Sequence, residues 1–569
     1  MTGRSPGLRP LPVLEFIPST AAAPREPSSA ADGRLDEYLP ESRTLPRFHL
    51  WTLGCQMNHS DSEEMAGRLL AAGCAESTTI EDADLIVINT CAIREAAEQK
   101  VIGRQGALAR LKNANPALRI VLTGCAVREP ERDGLHRRFP AVDFFLRPDE
   151  EPELVDRLGL ASAQAPIRAG FGSTNGATTM VGRTLVGVAD HLASTRAAAV
   201  HSGAVARSST VSAWLPIIYG CDKTCTYCIV PVSRGPERSR PFNEVVDEAR
   251  SLATAGYREI TLLGQNVNSY GHDLPPEPRF GHVRTERWAG RRLDLGSRPD
   301  LAELIRAIDR LGTADGRTAI PRLRFVTSHP WDLSDRLIEA MSDCRSVCEH
   351  LHLPVQSGDD AVLRRMGRQY TIEHYLERLD RIRAAVPGIA ITTDVIVGFC
   401  GEIEAQFEAT LQLLETVRYD QVFAAAYSPR PGTPAMRLAD DVPADAKRRR
   451  LNALLALQEG IGLERNRSWL GRDVEVLVEA VVPARSHEHG NDAPGEGSGP
   501  DAASANAANS APSADLARSA APDGVHLSGR TRQHKLVHVT GSAELVGQLV
   551  TVRIDHAGPY ALRGSMPTS

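Results

Sequence analysis

Long hydrophobic runs are missing from this chain. No stretch of its 569 residues approaches the run of about 18 apolar residues that a transmembrane helix needs. Aromatics are scarce, at 5%, while Gly (46) and Pro (37) are plentiful, so part of the length reads as linker rather than core. Neither charge sign dominates: 65 basic residues face 71 acidic ones, a net of −6, which excludes a uniformly basic nucleic-acid coat. The first residues lack a secretory core, because the apolar run Leu11 to Ile17 is interrupted by Pro12 and Glu15. Ten cysteines are too few for a disulfide scaffold in a chain this long. They fit a reducing, cytoplasmic setting, where clustered cysteines point to metal or redox chemistry.

The arrangement of what is present gives an α/β reading with three folded parts. Residues 1–46 are rich in Pro, Ala, Ser and Arg and read as a disordered leader. In 47–160, apolar runs at Phe48–Leu53, Ala83–Ile88 and Arg119–Thr123 alternate with helical patterns at Ser62–Ala72 and Glu95–Leu111. Short buried strands alternating with helices predict an N-terminal doubly wound parallel-sheet domain. Each run leads directly into a cysteine: Cys55, Cys91 or Cys125. All three are thus expected just past the carboxyl ends of strands, the edge where ligands bind in open α/β sheets.

Residues 161–211 read as a linker. In 212–446, six strand candidates (Leu215–Tyr219, Glu259–Leu263, Arg322–Thr327, His350–Pro354, Ile391–Gly398 and Gln421–Tyr427) alternate with helices. This predicts a complete or partial (β/α) barrel, interrupted by a Pro/Arg/Gly-rich insertion at 272–299. Residues 447–569 begin with a basic helical segment. They continue as strands at Asp473–Val482, Lys535–Thr540 and Leu549–Asp555, predicting a small β-barrel split by a disordered low-complexity insertion at 484–524.

The most specific motif is Cys221-Asp-Lys-Thr-Cys225-Thr-Tyr-Cys228, a C-x3-C-x2-C loop after the first strand of the (β/α) series. A structural zinc ion takes four protein ligands. Three thiolates with no fourth Cys or His nearby suit a [4Fe-4S] cluster that leaves one iron open. Cys55, Cys91 and Cys125 form a second candidate trio. Cys74, Cys344, Cys348 and Cys400 read as buried bystanders.

With its context, this loop resembles the S-adenosylmethionine (SAM) cleaving signature. The chain as a whole resembles the methylthiotransferase family of radical SAM enzymes over nearly all of 47–483 and 525–565. The N-terminal domain carries Thr52-Leu-Gly-Cys-Gln-Met-Asn58, Asn89-Thr-Cys-Ala-Ile-Arg-Glu95 and Thr123-Gly-Cys125. The middle carries Gly220 to Pro231, Ser233-Arg-Gly235, Leu262 to Gly271, His352 to Gly358 and Tyr427-Ser-Pro-Arg-Pro-Gly-Thr-Pro434. Gly529-Arg-Thr-Arg-Gln-His-Lys-Leu-Val537 lies in the last part. The sequence departs from the family at Val232, where an aromatic is usual, and at Cys400 and Ile403.

The resemblance is strongest to the branch that acts on N6-dimethylallyladenosine next to the tRNA anticodon. It implies that C2–H is replaced by a methylthio group. It further implies two [4Fe-4S] clusters, one on Cys221, Cys225 and Cys228 and one on Cys55, Cys91 and Cys125, and two SAM molecules in two roles. The other branches, acting on threonylcarbamoyladenosine in tRNA or on a ribosomal-protein aspartate, stand as alternatives within the enzyme class. An iron–sulfur RNA-binding protein stands as an alternative outside it. No side chain is singled out as catalytic.

Tyr227, Gly264, Gln265, Gln356 and Glu402 are candidate SAM contacts at the barrel mouth. The alternative for Gly264, Gln265 and Gln356 is turn chemistry and loop hydrogen bonding, and for Glu402 it is favouring the start of the helix that follows it. Two basic stretches suit tRNA. Residues 447–472 hold seven Lys/Arg against two Glu, and 525–569 hold five against two acids. The second resembles a TRAM domain, with Arg530, Arg532 and Lys535 as candidate phosphate contacts. The expected partners are tRNA, an electron donor such as flavodoxin or ferredoxin, and a sulfur donor. The expected assembly is a monomer with no membrane attachment.

Overall fold

A computed structural model describes residues 46–91, 95–128, 132–160, 184–186, 205–280, 285–288, 291–294, 297–312, 318–482 and 524–567. Almost all of the expected leader and low-complexity insertion, and most of the linker, lie outside these residues.

The first folded part is a five-stranded parallel sheet. Its strands are β1 (Arg47–Thr52), β2 (Ala75–Glu76), β3 (Leu85–Asn89), β4 (Arg119–Thr123) and β5 (Phe144–Phe145), in spatial order β2-β1-β3-β4-β5. Every residue of β3 is buried, as a central strand covered on both faces requires. Helices α1 (Gln56–Ala71), α2 (Glu95–Gly103), α3 (Gln105–Ala114) and α4 (Arg132–Arg138) connect strands, and α5 (Leu154–Arg157) follows β5. The single helix expected over Glu95–Leu111 is broken at Arg104 into α2 and α3. In this strand order the direction of winding reverses between β1 and β3, and such a switch point opens a crevice at the carboxyl edge. The register aligns that edge: Thr52 lies opposite Asn89, and Asn89 opposite Thr123. The three cysteines follow these residues by two or three positions, so one row of the sheet delivers all three to one edge.

The second part has six parallel strands. β6 (Ser212–Pro216), β7 (Glu259–Leu263) and β8 (Arg322–Phe325) form one group, and β9 (His350–His352), β10 (Ala390–Val397) and β11 (Gln421–Ala426) the other. A parallel bridge from Leu323 to Val347 joins them. Among the described residues no pairing links β11 back to β6, so the barrel is open. The first strand lies earlier than the sequence suggested. Pro216 has no N–H to extend the ladder, and Ile218–Tyr219 pairs antiparallel with Arg238–Ser239 instead. Helices α6 (Val230–Arg234), α7 (Phe242–Thr254), α8 (Leu301–Asp309), α9 (Asp335–Asp343), α10 (Asp360–Arg365), α11 (Ile372–Ala385) and α12 (Glu404–Val417) lie between the strands. Their apolar faces and the strands share one core running from Ala213 to Ile461.

The long helix α13 (Ala444–Arg467) leads to a closed five-stranded barrel. Its strands are β12 (Asp473–Val481), β13 (Val525–Thr531), β14 (Leu536–Gly541), β15 (Leu549–Ala557) and β16 (Ala561–Ser565), in order β12-β13-β14-β16-β15. Two buried arginines of β8 grip this barrel. Arg322 donates to the carbonyl of Arg530 and to Glu475, and Arg324 donates to the carbonyls of Thr531 and Arg532 while pairing with Glu259. Replacing Arg322 by Met would leave the part-buried Arg530 carbonyl and Glu475 without this donor. The expected loss is about 3 kcal/mol, read as a lower thermal midpoint together with faster proteolytic release of the small barrel. An unchanged midpoint would show that the grip contributes little.

Candidate functional site

The loops after β1, β3 and β4 touch at the sheet edge, and glycines make that possible. A Cβ on Gly54 would lie 2.7 Å from the Cys91 Cβ. Gly124, at φ 90°, would place one 2.3 Å from the Thr90 carbonyl oxygen. Cys55 caps the start of α1, and its thiol lies 3.6 Å from the Asn58 Oδ1. Asn58 is wholly buried. Its Nδ2 donates to Asn89 Oδ1 at 3.1 Å and to the Leu53 carbonyl at 3.2 Å, while Asn89 Nδ2 donates back to the Asn58 carbonyl at 2.8 Å. This pair of amides fixes the first turn of α1 to the end of β3.

Cys125 is 2% exposed and accepts from Arg234 Nε at 3.2 Å. Burial pushes its thiol up, against the pull of Arg234, and Cys55 adds to the rise. Nearby Glu151 is buried, accepts from Thr123 Oγ1 at 2.7 Å, and is held well above the carboxylate range by burial and by Asp61.

The second trio lies on the loop between Gly220 and α6. Thr226 ties this loop to α10, donating from its N–H to the Met366 carbonyl and from Oγ1 to the Arg365 carbonyl. Gly367, at φ 72°, lets Thr224 pass where a Cβ would lie 2.5 Å from its carbonyl oxygen. Cys221 and Cys228 are pushed up to about 12, first by burial; neighbouring sulfurs add to the rise, Cys228 and Cys225 for the first, Cys225 and Cys125 for the second. Arg368 is buried against this loop. It donates to Cys225 Sγ at 3.5 Å, to Tyr370 OH at 3.0 Å and to the Pro354 carbonyl at 2.7 Å.

The two trios are neighbours, since Cys125 packs against Ile229, the residue after Cys228. Among the described residues no three His, Cys, Asp or Glu side chains lie close enough to share one metal ion. The ligands of a zinc ion must all reach a single centre. A cuboidal cluster has an iron at each anchoring corner and holds its sulfurs farther apart. The donors fit such a group in kind: they are six soft thiols, four of them buried and two, Cys55 and Cys228, half-buried.

The candidate SAM residues divide. Gln265 and Gln356 each bury a side-chain oxygen with no hydrogen-bond partner, and Gln356 holds a φ of 74°. Two residues not singled out from sequence share this state: Asn266, whose Nδ2 donates to Asp332 at 2.7 Å, and Ser328. Asp332 in turn pairs with Lys223 of the cysteine loop, which ties this polar rim to the thiols. Tyr227 packs edge-on to Phe399, and burial raises its hydroxyl. Gly264 is needed for packing, because a Cβ there would lie 2.4 Å from Ile218. Glu402 is buried and already engaged, accepting from the Gly398 N–H and from Arg450 at 2.9 Å. It fastens the loop after β10 to α13.

The three basic residues expected at phosphates are turned inward. Arg530 pairs with Glu479, Arg532 forks onto Glu349, and Lys535, 9% exposed, pairs with Asp420 at 2.8 Å. Their charges are answered by carboxylates of the protein, so this Gly-Arg-Thr-Arg segment is a clasp between barrels. Much of the basic character of α13 is likewise internal: Arg450 meets Glu402 and Glu404, and Arg465 meets Asp420.

Comparison with known proteins places these features in a family. Residues 215–414 match the radical SAM superfamily, and 47–147 match the family described as uncharacterized protein family UPF0004. A tRNA-2-methylthio-N(6)-dimethylallyladenosine synthase of Acetivibrio thermocellus is 38% identical over 523 residues, 91% of this chain and 90% of the relative. One of Carboxydothermus hydrogenoformans is 39% identical over 518 residues, 91% and 98% of the two chains. A radical S-adenosylmethionine methyltransferase of Kitasatospora setae aligns with a TM-score of 0.45 at 14% identity, over 75% of this chain and 79% of that one. The match to the two synthases, over 91% of this chain at more than a third identity, establishes that the chain is an enzyme of the radical SAM methylthiotransferase family.

Proposed function

We propose that this enzyme replaces the C2–H of N6-dimethylallyladenosine, next to the tRNA anticodon, with a methylthio group. The observation that carries the reading is the meeting of two cysteine trios from two domains, with Cys125 packed against Ile229, the residue after Cys228. The substrate follows the printed names of the two relatives, which share more than a third of their residues with this chain.

The hydrogen at C2 of an adenine is neither acidic nor activated, so acid–base side chains give no handle on it and bound cofactors must supply the chemistry. Cys221, Cys225 and Cys228 would hold one [4Fe-4S] cluster and Cys55, Cys91 and Cys125 another. When bound, these would supply the reducing electron that cleaves SAM and the site from which sulfur is delivered. Two SAM molecules would be consumed per product.

The residues around the thiols have definable work. The unpartnered oxygens of Gln265, Asn266 and Gln356 are acceptors, and SAM offers donors in its ammonium, its ribose hydroxyls and its adenine amino group. The Lys223–Asp332–Asn266 chain holds that rim against the cysteine loop. Phe399 and Tyr227 close one side with apolar surface. The target base must leave its stack to reach buried thiols, which a single-stranded anticodon loop permits at low cost. The five-stranded barrel is proposed as the TRAM-like RNA-binding part. A flavodoxin or ferredoxin as electron donor and a separate sulfur donor complete the scheme.

Mass spectrometry of tRNA nucleosides tests the substrate. A strain lacking the gene should accumulate N6-dimethylallyladenosine without its methylthio form and regain that form on complementation. Recovery of a methylthiolated threonylcarbamoyladenosine or ribosomal aspartate instead would move the enzyme to another branch.

A further inference from the structure

Arg234 belongs to the open barrel but works inside the N-terminal domain. It ends α6, the five-residue helix that begins just after Cys228 and Ile229. Its side chain is 4% exposed. Nε donates to Cys125 Sγ at 3.2 Å, and Nη2 donates to Asp61 Oδ2 at 2.6 Å and to Asn58 Oδ1 at 3.2 Å. Asn58 Oδ1 also lies 3.6 Å from the Cys55 thiol. One guanidinium therefore touches one cysteine of the trio directly and a second through an amide, while its own helix leads back to the other trio.

A planar fork suits this task as a point charge does not. Arg presents N–H groups in fixed directions, and three acceptors here are met at once. Donors aimed at a ligating sulfur stabilise the added electron when the group it holds is reduced, so they raise its reduction potential. Asp61 orients the guanidinium, since it takes the shortest of the three bonds.

We propose that Arg234 is a positioning residue for the Cys55–Cys91–Cys125 trio. It sets the direction of the Cys125 and Cys55 sulfurs, raises the potential of the cluster they hold, and fixes the distance between the two trios because it reaches across from the other domain. This rests on the two-cluster reading of the previous subsection. The alternative is an interdomain ion pair with Asp61 and nothing more.

The test compares the full-length wild type with Arg234→Gln and Arg234→Lys after anaerobic reconstitution. Iron content, EPR-monitored potentials, 5′-deoxyadenosine and methylthiolated product are each measured. The wild type should bind about eight irons; four irons with one cluster signal would defeat the two-cluster reading itself, before any variant is considered. With eight irons present, Arg234→Gln should retain SAM cleavage, shift the potential of the N-terminal cluster negative, and lose about 10–100-fold in product formation. Arg234→Lys should recover part of the potential and less of the product rate, because it restores charge but not the fork. A folded Arg234→Gln with wild-type potentials would overturn the proposal while leaving the two clusters intact. Should that variant fail to fold, Arg234→Lys decides: wild-type potential and rate together would show that the directed bonds are not needed.

Discussion

Cys91→Ala should halve the bound iron, from about eight to about four, while SAM is still cleaved and no methylthiolated product forms. The argument begins with the register of the first sheet. Cys91 follows β3, the central strand at the switch point, and its Cβ lies against Gly54 of the neighbouring loop. Removing it takes away one of three anchors from a site with no fourth. The loop carrying Cys221, Cys225 and Cys228 is held by α10 and Arg368 of its own domain. The two trios should thus fail separately. Iron analysis, quantified 5′-deoxyadenosine and mass spectrometry of the tRNA check the three parts of this expectation. Undiminished iron in a folded Cys91→Ala would remove the second cluster from the reading.

Much of this site was legible because its chemistry is local in sequence. Three apolar runs each leading into a cysteine, and a C-x3-C-x2-C loop after the first barrel strand, need only the rule that ligands gather at the carboxyl ends of parallel strands. The alignment of Thr52, Asn89 and Thr123 in one row was implied but not readable, since register is set by pairing and not by the strands singly. What stayed hidden depends on distant partners. The carboxylates that meet Arg530, Arg532 and Lys535, namely Glu479, Glu349 and Asp420, lie 51 or more residues away in the sequence. A basic residue shows its charge in a sequence, but only the fold shows what answers it. Arg234 was overlooked for the same reason: its target, Cys125, lies 109 residues earlier. The Arg450 partner of Glu402 is hidden in the same way: helix α13, which supplies it, crosses back over the loop that carries Glu402.

A substitution that touches no thiol should reproduce the Cys91 phenotype. Gly124→Ala is expected to lose the iron of the N-terminal trio and the methylthiolated product, with SAM cleavage kept and the domain weakened by several kcal/mol at most. Gly124 sits at φ 90°, where a side chain costs on the order of 1–2 kcal/mol. The larger effect is steric. The new Cβ would meet the Thr90 carbonyl oxygen at 2.3 Å and the Asn89 Oδ1 at 2.4 Å. Neither neighbour is free to move: Thr90 N–H is bonded to the Thr123 carbonyl, and the Asn89 side chain is locked in the amide exchange with Asn58. Relief requires the loops after β3 and β4 to separate, which carries Cys125 away from Cys91 and disturbs the Asn58 contact beneath Cys55. Calorimetry of the apoprotein measures the domain's loss of stability, and iron content after reconstitution measures the loss of the site. Normal iron in Gly124→Ala would mean that the trio tolerates a wider spacing of these loops, so that close loop packing is a feature of folding and not of cluster binding.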